Sequence, residues 1–307
     1  MPYNIKTIKK EFKEKGIFYT SDEMAKTIKK YVNNDRPKSV YDPTCGDGAL
    51  LSVFDDDIPK YGQEINAEQL EVAKQRLKNF TGICGDTLKE PAFMERRFDA
   101  IVANYPFSIS WEQKSDVRFE KAPCLAPKSK ADYSFILHIL YLLSDSGTAA
   151  VLGFPGILYR GNAEAKIRQW LVEKNYIDKI VLFPGDQFVD TKISTVLLVI
   201  KKNKKSTDIV FEDYEHKRER VVKVDEIEKN NFNLSVNTYV EIEQTKEEID
   251  PLALDNSARK QFLKKLENEL IVQRTMCNID NNLKPLKGFI KDIKCVIEQF
   301  EKSLRNN

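Results

Sequence analysis

The sequence predicts an α/β fold: a mostly parallel sheet with helices on both faces, followed by a helical appendage. Three observations lead there. Short apolar or β-branched runs alternate with helical stretches between residues 39 and 200, which is the pattern of strand–helix–strand units. Two glycines within three positions, Gly46 and Gly48, follow the first of those runs and mark a tight strand-end turn. Beyond residue 257 the apolar residues recur at helical spacing with no strand among them.

Composition sets the outer bounds. The 307 residues suffice for one substantial core plus an appendage. Charged residues make up 31% and mean hydropathy is −0.47, and no run approaches the roughly eighteen apolar residues of a membrane helix. The start, Met1-Pro2-Tyr3-Asn4-Ile5-Lys6, carries no apolar signal segment. Cys45, Cys84, Cys124, Cys277 and Cys295 lack paired metal spacing and histidines number two. A zinc site or disulfide framework is therefore not expected, and a reducing cytoplasm fits. A net charge of +2 is nearly neutral, lower than that of a chain that binds a polyanion unaided.

The elements follow in order. Residues 1–15 hold five lysines and two glutamates on a helical pattern, expected to be solvated. Ser21 caps a helix with Asp22 and Glu23 in its first turn and Met24, Ile28, Tyr31 and Val32 on its apolar face. Ser39–Asp42 is the first strand, and Ala49-Leu50-Leu51 is expected to open a helix after the turn. Tyr61–Glu64 ends the second strand, and Asn66 caps a helix carrying Leu70, Ala73 and Leu77. Ile83–Asp86 ends the third strand, and Phe98–Ala103 is the fourth. Residues 108–130 read as a polar segment with Trp111, Arg118, Lys121, Lys128 and Lys130, either a DNA-phosphate contact or a lid. Ala131–His138 begins a helix in which His138 is a core histidine, and Asp132 at its start either caps the helix or borders the cofactor pocket, capping being preferred. Thr148–Phe154, Ile177–Phe183 and Ile193–Ile200 are strands five to seven, with a helix over 162–174. Residues 201–230 suggest a basic loop and an edge hairpin.

Asp42-Pro43-Thr44-Cys45-Gly46-Asp47-Gly48, the acidic strand ends at Glu64 and Asp86, and the loop Asn104-Tyr105-Pro106-Phe107 occur in that order. A Gly-rich turn alone is shared by several nucleotide folds, and an acidic second-strand end also serves NAD enzymes. Taken together, the sequence resembles an S-adenosylmethionine-dependent N6-adenine DNA methyltransferase. It is most similar in pattern to the modification subunit of type I restriction–modification systems. Gly161–Arg168, Leu182-Phe183-Pro184-Gly185 and Asn231–Tyr239 extend the resemblance over residues 16–240.

The resemblance implies a class I methyltransferase fold with a seven-stranded sheet and an antiparallel final strand. It implies that Asp42, Thr44, Gly46, Gly48, Glu64, Asp86 and Asn104 border the cofactor, with Glu64 on the ribose hydroxyls and Asp86 on the adenine amino group. Gly16-Ile17-Phe18-Tyr19-Thr20 resembles the segment that folds over the cofactor's methionine end, which adds Phe18 and Thr20. The family usually has Pro where Ser21 stands, and two prolines where this chain has Tyr105-Pro106.

The Asn104 loop would carry the chemistry. Adenine N6 is a poor nucleophile because its lone pair is delocalised into the ring. The Asn104 side-chain oxygen and the Tyr105 carbonyl can accept both of its N–H groups and free that lone pair for the methyl group. Phe107 can stack on a base turned out of the duplex, and Pro106 belongs to the same loop. No metal is required. Methylation of cytosine N4 or of a glutamine side chain uses related loops, and a catalytically weak or inactive cofactor-binding scaffold is the reading from another class.

Domain boundaries are expected at 1–240 for the catalytic unit, with helices and the cofactor-covering segment in 1–38, a linker at 241–256, and a helical hairpin or coiled-coil interface at 257–307. Phe262, Leu266 and Leu270 stripe one helix. Leu286, Ile290, Ile293, Ile297, Phe300 and Leu304 alternate four and three apart on the next. The resemblance implies duplex DNA and a DNA-specificity subunit as partners, a restriction subunit as a further one, and an N-terminal helical domain that this chain is expected to lack.

Overall fold

The structure, a computed structural model, describes residues 20–32, 36–185, 194–240, 251–279 and 282–305. The lysine-rich segment 1–15 and Phe18 lie outside the described residues. The chain divides into two compact units, 1–242 and 243–307.

In the first unit, α1 (Asp22–Tyr31) starts at Ser21, whose side chain accepts a hydrogen bond from Met24 N at 3.2 Å. Its buried face is Met24, Ala25, Thr27 and Ile28. Strands β1 (Val40–Asp42), β2 (Lys60–Glu64) and β3 (Phe80–Cys84) follow, with α2 (Ala67–Arg76) between the last two. Asn66 caps α2 by accepting from Glu68 N and Gln69 N. Then come β4 (Phe98–Asn104), α3 (Asp132–Leu142), β5 (Leu143–Gly153), α4 (Asn162–Glu173), β6 (Ile177–Phe183) and β7 (Thr195–Lys201). β8 (Ile209–Asp213), β9 (Arg218–Val222) and the short α5 (Val224–Lys229) close the unit.

One helix foreseen from sequence does not form. Residues 49–54 are a chain of turns in which Leu51 N and Ser52 N both donate to Gly48 O, at 3.1 and 3.0 Å. The chain reaches Asp55-Asp56-Asp57 after one turn and must start β2 at Lys60, which leaves no length to propagate a helix.

The strands form a single sheet in the order β3-β2-β1-β4-β5-β7-β6-β8-β9. The seven expected strands are its core, with β7 antiparallel to both β5 and β6. The hairpin foreseen at 201–230 enlarges it: β8 runs parallel to β6 and β9 antiparallel to β8, making nine strands. Consecutive residues 100–103 of β4 and 195–200 of β7 are all buried, so both faces of the sheet centre are covered. The numbering reverses direction between β1 and β4, which pair in parallel. That reversal is a topological switch point, where the loops at the carboxyl ends of the two strands leave in opposite directions and open a crevice.

The basic loop after β7 is structural. Lys201 pairs with Asp178 at 2.7 Å, Lys202 donates to Leu143 O, and Lys204 donates to Ile177 O and Asp208 O at 2.7 and 2.6 Å. The Lys202 and Lys204 ammonium groups thus satisfy backbone carbonyls at strand starts, and Lys201 a carboxylate.

The second unit holds α6 (Pro251–Ile279) and α7 (Lys284–Arg305). α6 begins at Pro251, six residues before the expected boundary, and proline suits a first helical turn because its missing N–H would be unpaired there anyway. No helix among the described residues is long and apolar enough to cross a membrane.

Candidate active site

The acidic and amide residues singled out from sequence converge on the carboxyl edge of the sheet. Asp42 ends β1, Glu64 ends β2, Asn104 ends β4, and Asp86 lies two residues past β3. The parallel pairing of β1 with β2 and β4, and of β2 with β3, brings these ends side by side.

The turn after β1 is built by its own backbone donors. Thr44 N donates to Asp42 Oδ1 at 2.9 Å, Gly46 N to Glu64 Oε2 at 2.8 Å, and Cys45 N to Gln63 O at 2.9 Å. Glu64 Oε1 accepts from Asn66 N at 2.9 Å. Gly46 adopts φ +52°, and a Cβ there would meet nothing within 4 Å. Glycine at this position thus serves the left-handed conformation, and among the described residues no atom crowds the space where its side chain would stand. Gly48 differs: at φ +81° its missing Cβ makes room for Leu77, whose Cδ1 would lie 2.7 Å away. Gly46 faces open space, whereas Gly48 is a packing glycine.

Asp42 is 1% exposed. Burial, opposed by the Thr44 hydrogen bond and reinforced by the nearby Glu64 charge, pushes its carboxyl up to about 8. A carboxyl of that kind is neutral in a dry site and becomes a strong partner for an arriving cation. Thr44 Oγ1 is buried with no hydrogen-bond partner among the described residues. Asp86 Oδ1 accepts from Leu88 N at 2.9 Å and Lys89 N at 3.3 Å, so it also shapes its own turn.

Across the crevice, the Asn104 amide donates from Nδ2 to Thr20 Oγ1 at 3.0 Å. With Nδ2 on the hydroxyl, the side-chain oxygen is the acceptor end of the amide. Tyr105 is fully buried, stacked on Phe135 at 5.1 Å and 10°, with Phe107 edge-on at 5.5 Å. Its hydroxyl has no hydrogen-bond partner among the described residues. The ring therefore fills core space, and only the backbone of residue 105 can take part at the surface. Phe107 is 8% exposed, so a base stacking on it would need that ring to turn outward.

These strand ends meet at the switch point of the sheet, and the comparisons with known proteins decide the family of the chain. The family model described as N-6 DNA Methylase matches residues 5–223. The chain belongs to the N-6 DNA methylase family. The methylase subunit of the type I restriction enzyme MpnII from Mycoplasma pneumoniae is 33% identical over 307 aligned residues, covering 80% of this chain and 56% of that protein. The MjaVII methylase subunit from Methanocaldococcus jannaschii is 26% identical over 299, covering 77% and 51%. The chain spans about half the length of these relatives. Among solved structures, the methyltransferase subunit of a type I restriction-modification system from Streptococcus thermophilus superposes with a TM-score of 0.67 at 29% identity, covering 73% of this chain and 59% of that one. The mixed α/β fold is thus shared with a type I restriction-modification methyltransferase subunit.

Within this family member, several side chains do other work than their sequence context suggested. Arg118, expected in a DNA-facing loop, is 4% exposed. It pairs with Asp116 at 2.7 Å, donates to Thr87 O and Leu88 O at 2.8 and 2.9 Å, and reaches His138 Nδ1 at 3.0 Å. It pins the 108–130 segment onto the loop after β3 and is not available to phosphate. Because the guanidinium donates to Nδ1, the His138 proton sits on Nε2 and points at the Tyr41 hydroxyl, 3.1 Å away. Burial and Arg118 hold His138 down to about 3, so it is a neutral core residue. Asp132 does not cap α3: the N-cap is Ala131, with no side-chain bond. Its Oδ2 instead accepts from Ser108 N at 3.2 Å, just past the Asn104 loop. Thr20 was assigned to the cofactor, and its contact in this structure is Asn104. The distances in sequence, 84 residues for Thr20–Asn104 and 24 for Asp132–Ser108, explain why no local pattern announced either contact.

Proposed function

We propose that the protein is a DNA adenine N6-methyltransferase, acting as the modification subunit of a type I restriction–modification system. The observation that carries this is Asn104 at the end of β4, across the switch point from the Asp42–Gly48 turn, with its amide Nδ2 donating to Thr20 Oγ1 at 3.0 Å. Asn104 Oδ1 and the Tyr105 carbonyl would accept the two N–H groups of the target amine and relieve the positive charge that grows on nitrogen as the new bond forms.

Asp42, Thr44, Gly46, Glu64 and Asp86 would hold S-adenosylmethionine, which supplies an electrophilic methyl group when bound. The open space above Gly46 and the buried Asp42 carboxyl fit a ligand that carries an ammonium group. Glu64 keeps lone pairs for ribose hydroxyls beyond those used by Gly46 N and Asn66 N. No side chain need act as a base before the transfer, since the lost proton leaves an amine made acidic by alkylation.

The relatives' names support a modification role within a multi-subunit enzyme. The balanced charge of the chain fits DNA reading by a separate specificity subunit, for which the apolar spacing on α6 and α7 offers a docking element. The buried Phe107 ring favours, as a second reading, a weak or silent enzyme that binds cofactor and assembles with that subunit. The test is transfer of labelled methyl to unmodified duplex DNA, with and without a cognate specificity subunit, followed by nucleoside analysis. N6-methyladenine supports the proposal. N4-methylcytosine or label in protein redirects it, and no label in the full complex favours the scaffold.

A further inference from the structure

We infer that Asp132 is a positioning residue for the Asn104–Phe107 loop, acting on it through Ser108 and Arg160. The inference rests on the methyl-transfer reading of that loop.

The loop has two ends. Its entry is fixed by the sheet, since Asn104 pairs with Leu152 in the β4–β5 ladder. Its exit is Ser108, which sits at φ +54°. A side-chain-bearing residue rarely holds that conformation unless its surroundings dictate it. Two groups dictate it here. Ser108 N donates to Asp132 Oδ2 at 3.2 Å, and Arg160 Nη1 donates to Ser108 Oγ at 3.3 Å. Arg160 is itself held by Glu164, with Nη2 donating to Oε1 at 2.9 Å and the two charged groups approaching to 2.8 Å between Nε and Oε2, where no hydrogen bond forms. It also lies 3.6 Å from Asp132 Oδ2.

Asp132 and Phe135 are three residues apart on α3 and so share a face of its first turn. Phe135 stacks beneath Tyr105 and Asp132 takes the amide of Ser108. One helical turn thus grips the loop from below and at its exit.

The arrangement is costly, which argues that it is not incidental. Asp132 is 0% exposed, and its Oδ1 has no hydrogen-bond partner among the described residues. One arginine serves two buried carboxyls, Asp132 and Glu164, and burial pushes both upward. A plain packing position would be filled with less penalty by an apolar side chain. The groups facing Asp132 are Arg160 after β5, Lys130 before α3, Glu164 on α4, and Tyr105 and Ser108 of the loop. Arg160 and Lys130 favour its charged form; burial opposes it, and Glu164 is a like charge beside the same arginine.

The test is Asp132→Asn, which keeps the shape and an acceptor for Ser108 but removes the charge that holds Arg160. Two readouts are taken. In methyl transfer with the full complex, kcat should fall about 10- to 100-fold, as misplacement of a reacting group does, while KM for S-adenosylmethionine stays within about two-fold. The wild-type rate should decline on acidification at a pH above the ordinary carboxylate range, and that limb should shrink in the variant. In hydrogen exchange of the unliganded protein, the peptide spanning residues 104–108 should lose protection. Wild-type kcat with wild-type exchange overturns the inference, and so does a KM change with kcat intact, which would move Asp132 to cofactor binding. If Asp132→Asn does not fold, Ser108→Ala and Arg160→Lys read the same link with the buried carboxyl left in place. Lowered kcat and faster exchange support it, and unchanged values in both overturn it. A wild-type protein that methylates nothing would defeat the proposed function, while the exchange readout would still decide the positioning role.

Discussion

Tyr105 stands where the resemblance leads one to expect the first of two prolines, and placing a proline there should destabilise the protein. Consider the series Tyr105→Phe and Tyr105→Pro. The ring is fully buried between Phe135 and Phe107 while its hydroxyl is unpartnered among the described residues. Removing the hydroxyl alone relieves a buried unpaired polar group and should stabilise by about 1 kcal/mol. Removing the ring from the phenylalanine variant costs about 4 kcal/mol, as for other buried aromatics. Two retained methylenes of proline return about 1.6 kcal/mol, and the stiffer unfolded chain returns about 0.7 kcal/mol. The proline variant should then lie about 2 kcal/mol below phenylalanine and about 1 kcal/mol below wild type. For a unit of this size that is about 4–8 °C between the two variants. Thermal melts of the three proteins, checked for reversibility, give the order. Phe above Tyr above Pro is expected. A proline variant as stable as the phenylalanine one would refute the reasoning, because Tyr105 would then not be a packing residue.

Three further outcomes follow from the crevice. Asp42→Asn should stabilise the unliganded protein, increasingly as pH rises from about 4 towards 8. Over that range the unfolded carboxyl has ionised while the buried one stays protonated until about 8, which costs the wild type up to about 1.4 kcal/mol per pH unit. The same variant should bind S-adenosylmethionine more weakly, and denaturant melts at pH 5 and pH 8 with a cofactor titration check both. Glu64→Ala should weaken cofactor affinity about ten-fold or more, and calorimetry finding unchanged affinity would remove Glu64 from the site. Thr20→Val should lower kcat more than it raises KM for the cofactor, because it frees the Asn104 amide to rotate; a pure KM effect would return Thr20 to the cofactor.

Much of this was legible from local pattern. Alternating buried runs, Ser21 and Asn66 as caps, and the glycine turn are short-range features, and β1 to β7 overlap the runs that signalled them, with β5 starting five residues earlier than its run. What stayed hidden depends on partners far along the chain. Arg118 reads as a surface cation in a polar loop, yet Thr87, Leu88 and His138 swallow its guanidinium. Lys202 and Lys204 read as a basic patch, yet they cap carbonyls at strand starts. Asp132 reads as a helix cap because aspartate favours that position, and tertiary contact with Ser108 overrides it. The helix expected after Gly48 failed for want of length, which periodicity over six residues cannot reveal. Gly46 and Gly48 look alike in sequence, and only the surroundings separate open space from the Leu77 side chain.

The most direct test of the central claim is Asn104→Ala in the presence of a specificity subunit, with methyl transfer to DNA and cofactor binding measured on the same preparation. On the proposed reading Asn104 faces the target base, so the rate should fall about 10²-fold or more while calorimetry finds cofactor affinity nearly unchanged, and the wild-type product should be N6-methyladenine. An alanine variant that transfers methyl groups at the wild-type rate would contradict the account, as would one whose cofactor binding disappears together with its activity.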